Sequence, residues 1–372
     1  MKIIHTADLH LDSSLQANLD PVKRKERRNE LTLNFSRLCE DAVRVNAKAV
    51  LIAGDLFDKD SVTRKVGLAV LNEITKNENI DFYYLKGNHD RGSFEGFIKE
   101  TGKFPENLHL FDTKWTKYEI EINDSKKLAI SGAEFNENVN ELMSTLKLNP
   151  DDINIVMLHG QESEYKGKDD AEIIPLGELK GKAIDYLALG HIHEYKLKQL
   201  DSRGTYCYPG CLEGRGFDEI GDHGYVLLDI DEETGDIIPS FIDFAYRKLH
   251  EIKVDITGLE NSAQAIDKAE EVITAHRYSE RDYLKIILTG DIDENAEIDE
   301  SLVAAAFKDD YYFVKAVNDS KVKVDYNKYL GDESLKGWFV RLVSESDEID
   351  EDMKGEIVRM GLDALAGEEI LK

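Results

Sequence analysis

The sequence predicts an α/β protein: a two-sheet sandwich flanked by helices, followed by a small α+β unit and C-terminal helices. Three observations predict it. Apolar runs of strand length alternate with helix-period stretches up to about Tyr246. Five of those runs end in a loop carrying Asp, Asn or His: KIIHTADLH, AVLIAGDLFD, FYYLKGNHD, NIVMLHG and YLALGHIH. From about Arg247 the pattern changes to short strands and helices, and from about Lys328 it reads as helix.

The first strand is followed by a helix from about Lys25 to Val45, because Leu31, Phe35, Leu38, Ala42 and Val45 fall on one face. Val66, Val70 and Ile74, four apart, place a second helix after the GDLFD strand. WTKYEIEI, KKLAISGAEF and TYCYPG read as strands, and in YVLLDIDEETGDIIPSFIDF a turn at Glu233–Gly235 joins two more. Further on, LHEIKVDI, YLKIILTGDI, YFVKAV and SKVKVDY surround helical stretches near Ser262–His276 and Leu302–Phe307. A last helix, Asp350–Ala366, is expected to stop at Gly367. The expected domains are 1–246, 247–327 and 328–372.

Composition narrows the setting. The net charge is −28, and residues 229–372 hold 36 Asp+Glu against 17 Lys+Arg, a net of −19. That bias argues against phosphate-backbone binding by the C-terminal third and leaves the first domain open. Two divalent cations would offset about four charges there. No apolar run approaches the length of a membrane span, Lys2 leads directly into a strand instead of a signal peptide, and three cysteines suit a reducing cytoplasm. A cytoplasmic protein without membrane attachment is expected. Cys207 and Cys211 lack the second thiol pair of a zinc site and read as a loop pair.

The strand-end residues carry the chemistry. Residues two apart in an extended strand face the same way, so Asp8 and His10 should point together, as should His191 and His193, with His5 on the opposite face. Gly54 lets the chain turn sharply before Asp55. Carboxylate plus imidazole without thiolate suits Mn, Fe or Zn. Two such ions about 3.5–4 Å apart can clamp a phosphate, polarise it and share an attacking hydroxide. The series D-x-H, GD-x-x-D, GNHD, H-G and GH-x-H, each ending an apolar run, therefore points to a two-metal phosphoesterase centre.

Two further features have two readings each. Lys23, Arg24, Lys25, Arg27 and Arg28 could track a DNA backbone, or form a solvated helix start balanced by Glu26 and Glu30. Arg215, bracketed by glycines, could touch a phosphate or lock its loop to a carboxylate. His109, His223, His250 and His276 read as structural or exposed.

Over about residues 1–245 the sequence resembles the calcineurin-like metallophosphoesterases. Within them it is most similar to the nuclease subunit of the bacterial SbcCD complex and to YhaO-type DNA repair exonucleases. HTADLHLDS, GNHD, GHIH, YPGCLEGRGFDE and ESLKGWFVRLV carry the likeness. The resemblance implies that Asp8, His10 and His193 hold one metal, that Asn88, His159 and His191 hold the other, and that Asp55 bridges them. His89 would stabilise or protonate the leaving oxygen, with Asp90 orienting it. Asp58 stands where many related nucleases have histidine, and is read as a cap of its loop.

The resemblance further implies two Mn²⁺ ions, a DNA substrate cut from 3′ ends with endonuclease activity as an added expectation, and an SMC-like, SbcC-type coiled-coil ATPase partner. A homodimer is also expected. Residues 247–315 would be a cap that selects DNA shape. The C-terminal helices would dock the ATPase or pack on their own domain. A second reading is another phosphoesterase of this fold, acting on nucleotides, cyclic nucleotides or phosphoproteins. A third, a non-catalytic scaffold, is opposed by the complete ligand set.

Overall fold

Alternate residues of the central strands face two different cores. Ile3, Ala49, Leu51, Ala53, Tyr83 and Leu85 pack with Leu128, Ile130, Ile155, Met157, Tyr186 and Ala188 between two sheets. Ile4, Val50, Ile52, Phe82 and Tyr84 face the other way, onto Phe35, Leu38, Ala42, Val70 and Ile74 of the helices. Strands buried on both faces must be apolar throughout, which is why these runs lack polar alternation. The structure, a computed structural model, describes residues 1–13, 15, 19–58, 62–90, 93–123, 126–135, 139–163 and 173–366.

The first six-stranded sheet runs Ile237–Asp243, Gly224–Ile230, Lys2–Thr6, Ala49–Ala53, Asp81–Leu85, Leu108–Leu110. The second runs Lys196–Gln199, Thr205–Tyr208, Tyr186–Gly190, Ile153–His159, Lys126–Gly132, Thr116–Asn123. Lys2–Thr6, Ala49–Ala53 and Asp81–Leu85 are mutually parallel, as are Ile153–His159 and Tyr186–Gly190. Their carboxyl ends, followed by the loops at 7–13, 54–58, 86–90 and 191–193, form the part of the fold where α/β sheets bind ligands. This is the α/β sandwich the sequence predicts.

Local chemistry explains the boundaries. The first helix is Pro21–Arg44, beginning four residues before the expected Lys25, because Asp20 accepts from Val22 N and Lys23 N and Pro21 occupies the first turn. The turn at Glu233–Gly235 is built by Asp231, whose carboxylate accepts from Glu233 N and Thr234 N at 2.8 Å each.

The chain forms two compact units, Met1–Lys248 and Leu249–Lys372. In the second, parallel strands Leu249–Asp255, Tyr283–Thr289 and Phe313–Asn318 pack with helices Ser262–His276 and Glu300–Phe307. The stretch from Lys328 is a short 3₁₀ turn, Tyr326–Tyr329, then helices Leu335–Ser344 and Glu351–Ala366, joined by Val340, Val343, Val358 and Leu362. The stop expected at Gly367 lies outside the described residues. Among the described residues no helix is long and apolar enough to cross a membrane.

Candidate metal centre

The strands end at Thr6, Ala53, Leu85, His159 and Gly190, so most of the expected ligands lie just beyond them. Asp8 and His10 do point together, but strand parity is not the cause, for these two or for His191 and His193: all four lie beyond the strand ends, and the reason is corrected. Asp8 (φ 53), His10 (φ 45), Asp55 (φ 50) and His191 (φ 103) have left-handed backbone. Hydrogen bonds pin the turns: Asp8 N donates to Gly54 O at 3.1 Å and His10 N to Asp55 O at 2.9 Å. Such conformations are costly for residues with a Cβ and persist where the surroundings over-determine them. His5, still within its strand, is buried and lies 2.9 Å through Nδ1 from Tyr186 Oη.

Two glycines make room. Gly54 has φ 93, and a Cβ there would lie 2.1 Å from His159 Nδ1. A Cβ on Gly87 would lie 2.1 Å from Asp55 Oδ1, so the glycine of GNHD forms the cradle of that carboxylate.

All seven expected ligands converge. His10 Nε2 and His193 Nε2 are 3.1 Å apart, and with an Asp8 oxygen their atoms lie within 4.8 Å of one another. On the other side His159 Nε2 lies 3.0 Å, and His191 Nδ1 3.3 Å, from Asn88 Oδ1. Asp55 stands between, its Oδ2 being 3.8 Å from His10 Nε2 and 3.4 Å from His159 Nε2. Asp8 also groups with Asp55 and His159. His89 is exposed, with its ring centroid 5.0 Å from that of His10 and its backbone N donating to Asp55 Oδ1 at 2.9 Å.

The imidazoles are held from behind. His159 Nδ1 lies 2.9 Å from Ala53 O, His193 Nδ1 2.7 Å from Glu219 Oε1, and His10 Nδ1 3.2 Å from Asp58 Oδ1. The last contact is an ion-pair approach lying off the ideal hydrogen-bond line. Each turns Nε2 toward the centre. Glu219 was not expected; the one local signal for it is the Arg215–Glu219 spacing of four residues inside a glycine-rich loop.

The centre suits divalent cations. Its donors are imidazole, carboxylate and amide oxygen, with no thiolate among them. Burial pushes the Asp8 carboxyl up to about 6, and Asp55 adds to the rise against the pull of His193 and His159. Burial would lower His159, but the Asp55 carboxylate holds it up at about 9. Carboxylates crowded in a buried site are relieved by a cation placed between them.

Other expected residues are placed elsewhere. Arg27 is fully buried, pairing with Glu213 at 2.6 Å and Glu30 at 3.1 Å and donating to Gly214 O at 2.8 Å. It cannot touch DNA, and that expectation is corrected: Glu213, 186 residues away, buries it. Arg27→Ala should cost about 3–5 kcal/mol by leaving buried Glu213 without its counter-charge, held by Asn34 Nδ2 and the Tyr246 and Arg247 N–H groups; a urea midpoint equal to wild type would refute this. Lys23 and Arg24 lie half-buried in the first helical turn, Arg24 donating to Leu19 O at 3.0 Å. Arg215 binds Asp58 at 3.2 Å and Glu219 at 2.7 Å, so it locks its loop to carboxylates. Asp90 is buried and accepts from Gly87 N at 2.8 Å, Phe57 N at 3.2 Å and Tyr84 Oη at 2.5 Å. It clamps the GNHD loop, and among the described residues its bonds do not go to the His89 ring. Cys207 and Cys211 are buried free thiols.

The fold and this convergence define a metal-dependent phosphoesterase. Residues 1–195 match the calcineurin-like phosphoesterase model, over half the chain, and the protein belongs to that family. It is a hydrolase of phosphoester bonds. A Bacillus subtilis protein named "Uncharacterized metallophosphoesterase YhaO" is 26% identical over 291 residues, covering 74% of this chain and 68% of that one. Two archaeal proteins named "DNA double-strand break repair protein Mre11" are also similar. That of Sulfolobus acidocaldarius is 25% identical, covering 72% of this chain and 69% of its own. That of Aeropyrum pernix is 26% identical, covering 82% and 76%.

Proposed function

We propose that the protein is a Mn²⁺-dependent DNA nuclease of double-strand-break repair, releasing nucleotides from 3′ ends. The observation that carries this is the position of Asp55 between the His10–His193 pair and the Asn88–His159 pair, with exposed His89 alongside. The likeness to proteins named for double-strand-break repair supports DNA as the substrate. Asp8, His10 and His193 would hold one ion, Asn88, His159 and His191 the other, and Asp55 both. Bound there, two divalent ions supply Lewis-acid polarisation and water activation. His89 would stabilise or protonate the leaving oxygen, and Asp90 holds the loop that carries it.

The test is direct. The purified protein with Mn²⁺ is offered linear duplex DNA, single-stranded DNA and a small aryl phosphodiester in parallel. Cleavage of the aryl diester with both DNAs untouched would favour a nucleotide or phosphoprotein phosphoesterase instead.

The partner we propose is a coiled-coil ATPase docking on the C-terminal helices. Leu335, Trp338 and Leu342 are 69%, 64% and 72% exposed on one face of Leu335–Ser344, opposite buried Gly337, Val340 and Val343. An apolar stripe at this spacing suits a partner helix.

Substrate choice is assigned to the second unit. Met1–Lys248 contains every proposed ligand and its own cores. Expressed alone, it should fold, bind two ions and keep cutting the aryl diester, while duplex DNA cleavage falls. Equal loss on both substrates with metals bound would contradict this division of labour.

A further inference from the structure

Building on the two-ion reading, we infer that the two ion sites are unequal, and that Glu219 positions and strengthens the tighter one through His193. The groups behind the imidazoles differ between the two sides. His193 Nδ1 meets the Glu219 carboxylate at 2.7 Å, and His10 Nδ1 faces the Asp58 carboxylate at 3.2 Å. His159 Nδ1 instead meets the neutral carbonyl of Ala53 at 2.9 Å, and its companion Asn88 is a neutral amide. A carbonyl fixes a ring, but a carboxylate also makes it a stronger electron donor to a metal. The ion held by His10 and His193 is therefore bound more tightly than the ion held by Asn88, His159 and His191.

Glu219 is held in place to do this. Its oxygen Oε2 accepts from Arg215 N at 2.8 Å, its own N donates to Gly216 O at 2.9 Å, and its carbonyl lies 2.9 Å from His223 Nε2. Backbone and side chain of Glu219 are thus both held. Arg215 ties the two supporting carboxylates together, with Nη1 3.2 Å from Asp58 Oδ1 and Nη2 2.7 Å from Glu219 Oε1. That guanidinium keeps both carboxylates behind their rings, where they support the ligands instead of replacing them. It also lies 3.3 Å from His193 Nδ1. Removing the Glu219 charge leaves a cation facing the ring, which weakens His193 further as a donor.

The metal-free full-length chain, titrated with Mn²⁺ alone in a calorimeter, tests this without an activity assay. The wild type should bind in two steps of different affinity. Glu219→Gln should weaken the tight step by about 10–100-fold and spare the other, the range usual for groups that support a metal ligand. Asp58→Asn, at a half-buried side chain, should weaken the same step through His10. A circular-dichroism melt of each metal-free variant reads folding separately. If Glu219 merely ties its loop, the melt shifts while both Mn²⁺ steps stay unchanged, and the assignment is overturned. A single step at two ions per chain in the wild type overturns the inequality but leaves the two-ion centre standing; one ion per chain or none removes the centre itself. Should Glu219→Gln fail to fold, an unchanged tight step in Asp58→Asn overturns the proposal.

Discussion

Asp55→Ala should emerge from purification with neither metal ion, and with phosphodiester cleavage at background. The substitution removes the carboxylate whose Oδ2 lies 3.8 Å from His10 Nε2 and 3.4 Å from His159 Nε2, between the two ligand sets. Two cations held near each other repel strongly, and a shared anion is what makes their proximity tolerable. The same carboxylate accepts the His89 backbone N–H at 2.9 Å, so its loss also loosens the loop that presents His89. The metal-free fold should survive, because the hydrophobic clusters flanking the first sheet do not include Asp55. Thermal unfolding separates the two effects. Mn²⁺ at a hundred times its dissociation constant should stabilise the wild type by about 2.7 kcal/mol per site, and the variant not at all. Elemental analysis finding two ions per Asp55→Ala chain would remove Asp55 from the bridge.

The fold was legible where burial is dictated by local pattern. Ile3 and Ile4, neighbours in one strand, serve opposite cores, and an unbroken apolar run is what such a strand requires. Ser262–His276 matches its expected bounds because Asn261 caps it locally, its side chain accepting from Gln264 N. The identities of the converging residues were also legible, since each lies at or just past the end of one of five apolar strands. The reason they converge was not. Left-handed backbone at Asp8, His10 and Asp55 is held by hydrogen bonds between the loops of two neighbouring strands, and His191 N donates to the Asp8 carboxylate from the other sheet; no local spacing reports these contacts. Long-range pairing hid the rest. Arg27 looks like a surface cation until Glu213 is brought against it. Glu219 looks like another loop acid until His193 meets it. A charge is readable from sequence; its partner 26 or 186 residues away is not.

His89→Asn separates binding from chemistry. A DNA phosphodiester expels an alkoxide, which must be protonated or stabilised as the bond breaks, so a group is needed on the leaving side. Asn88 and His89 are adjacent, but Asn88 Oδ1 turns toward His159 and His191 while the His89 ring stands exposed beside His10, 5.0 Å between centroids. On the proposed reading one neighbour ligates and the other faces the substrate. Asparagine keeps a similar size and some hydrogen-bonding capacity but cannot act as an acid. Losing general acid catalysis typically slows a reaction by about 10²–10⁴-fold, roughly 3–5 kcal/mol of barrier. The variant should therefore fold, bind two ions and retain DNA, yet cut it slower by that order. The support of the loop should be unchanged, because Asp90 still holds Gly87, Phe57 and Tyr84. An aryl diester, whose leaving group needs little protonation, should suffer much less than DNA. Near wild-type DNA cleavage would exclude His89 as the acid, and so would an equal loss on both substrates accompanied by a missing ion, which would make His89 a ligand instead.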